Sequence, residues 1–139
     1  AAQRNNAHSK NVNTYEKRGG KGITFDGTVS SGEYIDIIRG IDWLTARICE
    51  AVYAKLTSVE KIPFTDEGIA IIESEIRAVL EEAEGVGLLT NNPKYVVTVP
   101  LARNVSTADK ANRCLPDVKF TATLAGAIHK VTVNGVVSL

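Results

Sequence analysis

Methionine is missing from all 139 residues, and the chain opens on Ala-Ala. Both facts read as signs of an excised or processed piece rather than a complete translation product, and the start carries no signal-peptide pattern. Cysteine is scarce: Cys49 and Cys114 lie far apart and outside any C-x-x-C or Cys/His ligand cluster. Two free thiols packed as small hydrophobes in a reducing compartment are expected, with a single disulfide as the alternative. Net charge is also lacking, since 16 Lys and Arg balance 16 Asp and Glu. The molecule therefore offers no long-range attraction to a polyanion, and no direct nucleic-acid partner is expected. No apolar run is long enough to span a bilayer, so no membrane partner is expected either.

Patterns that carry chemistry are equally thin. The stretch RGGKGIT around Lys21 places glycines next to a lysine. A phosphate-cradling P-loop needs G-x-x-x-x-G-K-[ST] between a strand and a helix, whereas here a second glycine and a strand-like run follow Lys21. A glycine hairpin turn is the better reading. His8 falls in a polar start and His129 among β-formers, without partners at metal-ligand or Cys-His spacing. No G-x-S-x-G elbow occurs. No catalytic residue, metal or cofactor is expected; a small phosphate-binding domain using Lys21, His129 and Cys114 is the remote alternative.

What the chain does contain is periodicity. Residues 1–11 are polar and Asn-rich, and are expected to form a disordered tail or linker. VNTYEKR and GITFDGTVS flank Gly19-Gly20 as a β-hairpin. From Ile35 the period lengthens: Ile37/Ile38, Ile41, Leu44, Ile48, Val52 and Leu56 trace one helix face. Trp43, Ala46, Cys49 and Tyr53 trace a second, so this helix is expected to be buried on more than one side. Thr65 caps a second helix with Asp66 and Glu67 in its first turn; Ile69, Ile72, Ile76, Leu80 and Ala83 form its apolar face, and Gly85 or Gly87 ends it.

KYVVTVP at 94–100 reads as a strand and Ser106 as the cap of a short helix. Residues 117–126 and 127–139 read as a long hairpin turning at Ala125-Gly126, with Lys130–Val133 closing it and Asn134-Gly135 bending the chain afterwards. The expectation is an α+β domain over 12–139. It comprises a mainly antiparallel sheet of four to five strands, covered on one side by two long helices, with one short helix besides. Residues 134–139 are set apart as a possible exchange arm.

One segment stands out, G-E-Y-I-D-I-I-R-G-I-D-W-L at 32–44. Asp36, Arg39 and Asp42 follow at i,i+3 and i+6, an acid-base-acid ladder along one helix side. It reads either as a weak surface ladder or as an interface element that fixes how copies dock; the spacing does not choose.

At this segment the sequence resembles the C-terminal, inner domain of contractile phage tail sheath proteins, a sheath-like family formerly of unknown function. The resembling stretches are N-V-N-T-Y-E and G-G-K-G-I-T-F-D-G, then S-G-E-Y-I-D-I-I-R-G-I-D-W-L-T-A-R-I, K-I-P-F-T-D-E-G-I-A, Y-V-V-T-V-P and F-T-A-T-L-A-G-A-I-H-K-V-T-V-N-G. Their order over about residues 11–139 carries the likeness. It implies a non-enzymatic virion protein, assembled in the host cytoplasm into stacked hexameric rings of itself around a tail tube protein, and able to contract. It also implies β-strand exchange, with a donor strand within 131–139 (Val131, Val133, Val136, Val137 and Leu139) and a receiving edge at 23–29 or 94–99. Another virion component, a baseplate or tube-linked protein sharing the domain, is the alternative.

Overall fold

The longest apolar stripe of the sequence becomes the longest helix. In a computed structural model of the chain, which describes residues 2–25 and 27–138, helix α2 runs Ile35–Ser58 and α3 runs Asp66–Gly85. Thr65 caps α3 as expected, its hydroxyl accepting from the Gly68 N–H at 3.2 Å. The Glu67 carboxyl in the first turn is held below its ordinary pKa of 4.5 by bonds from its own backbone N–H and from the Thr65 hydroxyl. At the far end the Val86 N–H returns to the Glu82 carbonyl, and Gly87, at φ +77, carries the chain out of the helix.

The two helices lie antiparallel, an order that Arg47–Glu82 (3.2 Å) and Lys55–Glu75 (3.0 Å) cross-link from the side. Glu82, and to a lesser extent Glu50, raise the Arg47 pKa further. Between and beneath the helices lies one core: Leu44 from α2, Ile76, Val79, Leu80 and Ala83 from α3, and Leu89, Tyr95 and Val97 from the chain that follows. Gly40 has a packing reason inside α2, because a Cβ there would run into the Leu88 side chain.

Two separate two-stranded antiparallel sheets flank this core. Strands β1 (Thr14–Arg18) and β2 (Lys21–Phe25) form the expected hairpin across Gly19-Gly20, both at positive φ. Strands β3 (Val96–Thr98) and β4 (Lys119–Thr121) pair with Val97 opposite Phe120. Between β3 and β4 a 3-10 turn at Ala102–Asn104 precedes α4, Thr107–Ala111, which Ser106 caps as read from the sequence.

The α+β class is therefore the one expected, but the single sheet of four to five strands is not formed. The long C-terminal hairpin is the missing piece. The strand through β4 already has a partner on the helix side: Leu89 bridges Leu124, the Thr90 N–H meets the Thr123 carbonyl, and the Ala125 N–H meets the Leu88 carbonyl at 2.9 Å. Gly126, at φ +68, then turns the chain away instead of folding it back. Lys130–Val133 closes no hairpin, and residues 125–138 carry no strand.

Three further expectations are corrected. Ala2–His8, read as part of a disordered tail, forms α1, pinned at its end by the His8 ring against Phe25 (centroids 5.0 Å apart) and Thr14 (3.0 Å). Of the second α2 stripe only Trp43 joins the core; Ala46, Cys49 and Tyr53 stay exposed, Tyr53 by 70%. Cys49 and Cys114 are free thiols but lie exposed rather than packed inside. Among the described residues no helix is long and apolar enough to cross a membrane.

Candidate subunit interface

A β-strand is completed only by a partner edge, and this chain leaves both kinds of half behind. Among the described residues each sheet stops at two strands, so each strand has one edge not paired with another strand of its sheet. At the same time residues 126–138 are exposed throughout and carry large apolar side chains. Ile128 is 85% exposed, Val131 77%, Val133 83%, and Val136 and Val137 are 99% exposed each. Among the described residues no backbone hydrogen bond involves 126–138. Large apolar side chains left this bare in sequence order mark an interaction surface.

The exit of this segment is fixed by one aromatic contact. The His129 ring meets the Tyr34 ring edge-on, centroids 4.9 Å apart. Tyr34 itself is held at the start of α2, where the 27–35 turn is tied by Val29 N–H to the Glu33 carbonyl and Ile35 N–H to the Gly27 carbonyl. Together with β2 these residues border an open groove of about 670 Å³, lined by Arg18, Ile23, Thr24, Phe25, Gly27, Tyr34, His129 and Lys130. The wall is ordered by Arg18, whose guanidinium stacks 4.0 Å from the Phe25 centroid while reaching Glu16 at 3.1 Å. Neither Tyr34 nor the groove was singled out in the sequence, where Tyr34 is one apolar residue among many and its meeting with His129 is non-local.

The acid-base-acid ladder does not close. Asp36, Arg39 and Asp42 all lie exposed along α2, and among the described residues no ion pair joins them. Their charges are thus left to solvent or to a partner. Val131, Val133, Val136 and Val137 share the bare segment, whereas Leu139 lies outside the described residues. RGGKGIT is a hairpin turn, with Lys21 opening β2 opposite Arg18 and no helix after it. Among the described residues no group of three or more His, Cys, Asp or Glu is placed to hold a metal.

At the opposite end of α2 is a second, smaller hollow of about 110 Å³. It is walled by Leu56, Ile62, Pro63, Phe64, Ile69, Ile72 and Leu115, with Arg113 as its one charged side chain. Arg113 stands at φ +56, a left-handed conformation. The cause is local: the Arg113 N–H meets the Lys110 carbonyl and the Cys114 N–H meets the Asp109 carbonyl, a Schellman ending of α4 in the position where glycine is usual.

Comparison with known proteins follows the same lines. In fold, the chain is similar to a chain of the cryo-EM structure of the anti-feeding prophage (AFP) baseplate, 6-fold symmetrised, at a TM-score of 0.64 and 16% identity. That likeness covers 99% of this chain and 39% of the solved one, so the chain spans well under half the length of its structural neighbour. No individual curated protein matches. The family model for the E217 tail sheath protein gp31-like, C-terminal domain, matches residues 35–137, from the first turn of α2 to the exposed valines. The chain thus belongs to the E217 tail sheath protein gp31-like C-terminal domain family, a family of phage structural proteins.

Proposed function

We propose that this chain is the inner domain of a contractile tail sheath subunit, and that it links copies by strand exchange through its C-terminal segment. The observation that carries the reading is the run 126–138, exposed at every residue, bearing the bare side chains of Ile128, Val131, Val133, Val136 and Val137, and without a backbone hydrogen bond among the described residues. In such an exchange the arm supplies main-chain donors and acceptors to a neighbour's open edge, and Val131 and Val133 on one face set the register. Of the two edges considered, β2 is the better receiver: Ile23, Thr24 and Phe25 border a groove, whereas β3 presents the exposed Val96 and Thr98 beside a buried Val97. Stacked hexameric rings around a tail tube, virion location, and contraction driven by free energy stored in the extended lattice belong to the same proposal.

Deletion of 133–139 tests it. The domain is expected to keep its thermal midpoint, because residues 133–138 contribute nothing to the core, while the full-length protein no longer forms tubes in electron microscopy. Unfolding of the domain on deletion, or tubes that still form, overturns the reading. The likeness to a baseplate chain keeps a second role in view, a baseplate component on the same domain. Copy number separates the two, since a sheath subunit is present at every ring along the tail and a baseplate part only in a few copies per particle.

A further inference from the structure

The two ends of α2 carry features that fit each other but lie too far apart to meet within one chain. At its start, Glu33 and Asp36 are exposed carboxylates flanking the exposed Tyr34 and Ile35, the latter 49% accessible. Neither carboxylate forms an ion pair among the described residues. At its end lies the 110 Å³ apolar hollow with exposed Arg113 at its border, and Arg113 has no carboxylate partner among the described residues either. A 24-residue helix separates them by about 36 Å.

We propose that the α2 start of one copy docks in the Arg113 hollow of the next, with Ile35 entering the hollow and Glu33 or Asp36 meeting Arg113. This rests on the self-assembly proposed above and names the surface that sets the direction of the lattice. Charge complementarity selects the occupant: the exposed valines of the arm are apolar too, but they bring no carboxylate to Arg113. A contact between two different patches is heterologous, so it repeats head to tail and generates a ring or a helix of copies, which an isologous contact cannot do. Arg113 itself supports a role beyond folding, because a glycine would satisfy the left-handed α4 ending at lower cost, and strained residues held in place concentrate at working sites.

That strain supplies the test. Arg113→Gly removes the side chain while relaxing the backbone, so the variant domain is expected to melt at or above the wild-type temperature. In the full-length protein it is expected to raise the concentration needed for polymerisation about tenfold or more, the scale of losing one charge pair at an interface. Arg113→Glu should do the same, and Asp36→Arg combined with Arg113→Glu should restore assembly to within a few-fold of wild type. Wild-type polymerisation by Arg113→Gly overturns the docking proposal. So does failure of the charge exchange with Asp36 and, separately, with Glu33→Arg. The 133–139 deletion reads out independently: tubes formed without the arm but lost with Arg113→Gly reject strand exchange and leave the docking in place.

Discussion

Gly68→Ala is a sharp test of how α3 is seated. Gly68 is the third residue of α3, buried, and donates its N–H to the capping Thr65 hydroxyl. A Cβ built on it runs into the Pro63 carbonyl oxygen and comes within 3.2 Å of the Ile62 Cγ2. Two effects oppose each other. Alanine is preferred over glycine in a helix by roughly 1 kcal/mol, less in a first turn. Against this, overpacking costs ~1–3 kcal/mol, at the upper end here because the obstacle is backbone and cannot rotate away. Displacing the 62–65 loop also weakens the Thr65 cap, a further loss of about 1 kcal/mol. The net is a destabilisation of ~2 kcal/mol, or about 6 °C in thermal midpoint for a chain of this size.

Urea unfolding followed by the fluorescence of Trp43 measures this, with an unchanged slope showing that only stability moved. Gly85→Ala is the internal control. Nothing stands within 4 Å of its Cβ and its φ is not positive, so it should be neutral or stabilising by up to ~1 kcal/mol. A Gly68→Ala protein as stable as wild type, or the two variants shifting together, refutes the reasoning.

Other perturbations separate local from global effects. Tyr95→Phe loses the bond from the phenol to Glu81 (3.0 Å) and should cost about 1–2 kcal/mol at neutral pH by chemical denaturation. Burial first, and then Glu81, raise the Tyr95 pKa above 10, so its contribution is complete below pH 10 and is lost as pH climbs through the raised value. Wild type should therefore lose stability above pH 10 more steeply than Tyr95→Phe, as read from denaturation midpoints. Lys55→Met removes the half-exposed bridge to Glu75 and should shift stability by less than ~1 kcal/mol, a difference that shrinks as added salt screens the pair in wild type. Ser106→Ala removes the α4 cap, worth ~1 kcal/mol, and should loosen the Arg113 turn enough to weaken assembly in the same direction as Arg113→Gly.

The helices and the first hairpin were legible because their signals are local. Ile69, Ile76, Leu80 and Ala83 repeat within one helix, Thr65 and Ser106 cap their own next turn, and Gly19-Gly20 closes strands on either side. The C-terminal hairpin was not legible because alternation reports a strand without saying what pairs with it. Val131 and Val133 alternate as well as any strand in the chain, yet the helix-side partner of β4 was supplied by residues 88–90 and 96–98, an arrangement set by how α3 returns the chain. The same limit applies to the interface. Asp36 and Arg39 are visible in sequence, but whether they pair with each other is a matter of rotamer and competition. The Arg113 hollow has no local signature at all, being drawn from four separated stretches. The α1 helix escaped for the opposite reason: its residues are poor at burying surface, and it is ordered by His8 meeting Phe25 across the hairpin.

Two-stranded sheets are marginal on their own in water and gain independence with a third strand. Here the β3–β4 pair is backed by the α3 core through Val97, whereas β1–β2 has little beneath it: Tyr15 is 78% exposed and Ile23 38%, and its support is α1 with the Arg18 stack on Phe25. Under strand exchange, that difference assigns the roles. The supported pair is already secure and gains less from an added strand. The bare hairpin gains a third strand and cover for Ile23 from the same event. A receiver that is stabilised by receiving would couple folding of the edge to assembly. The hairpin amides of β2 should then exchange with solvent readily in the free subunit and become protected in tubes, while those of β3 change little. Equal protection of β2 in both states would move the receiving edge elsewhere.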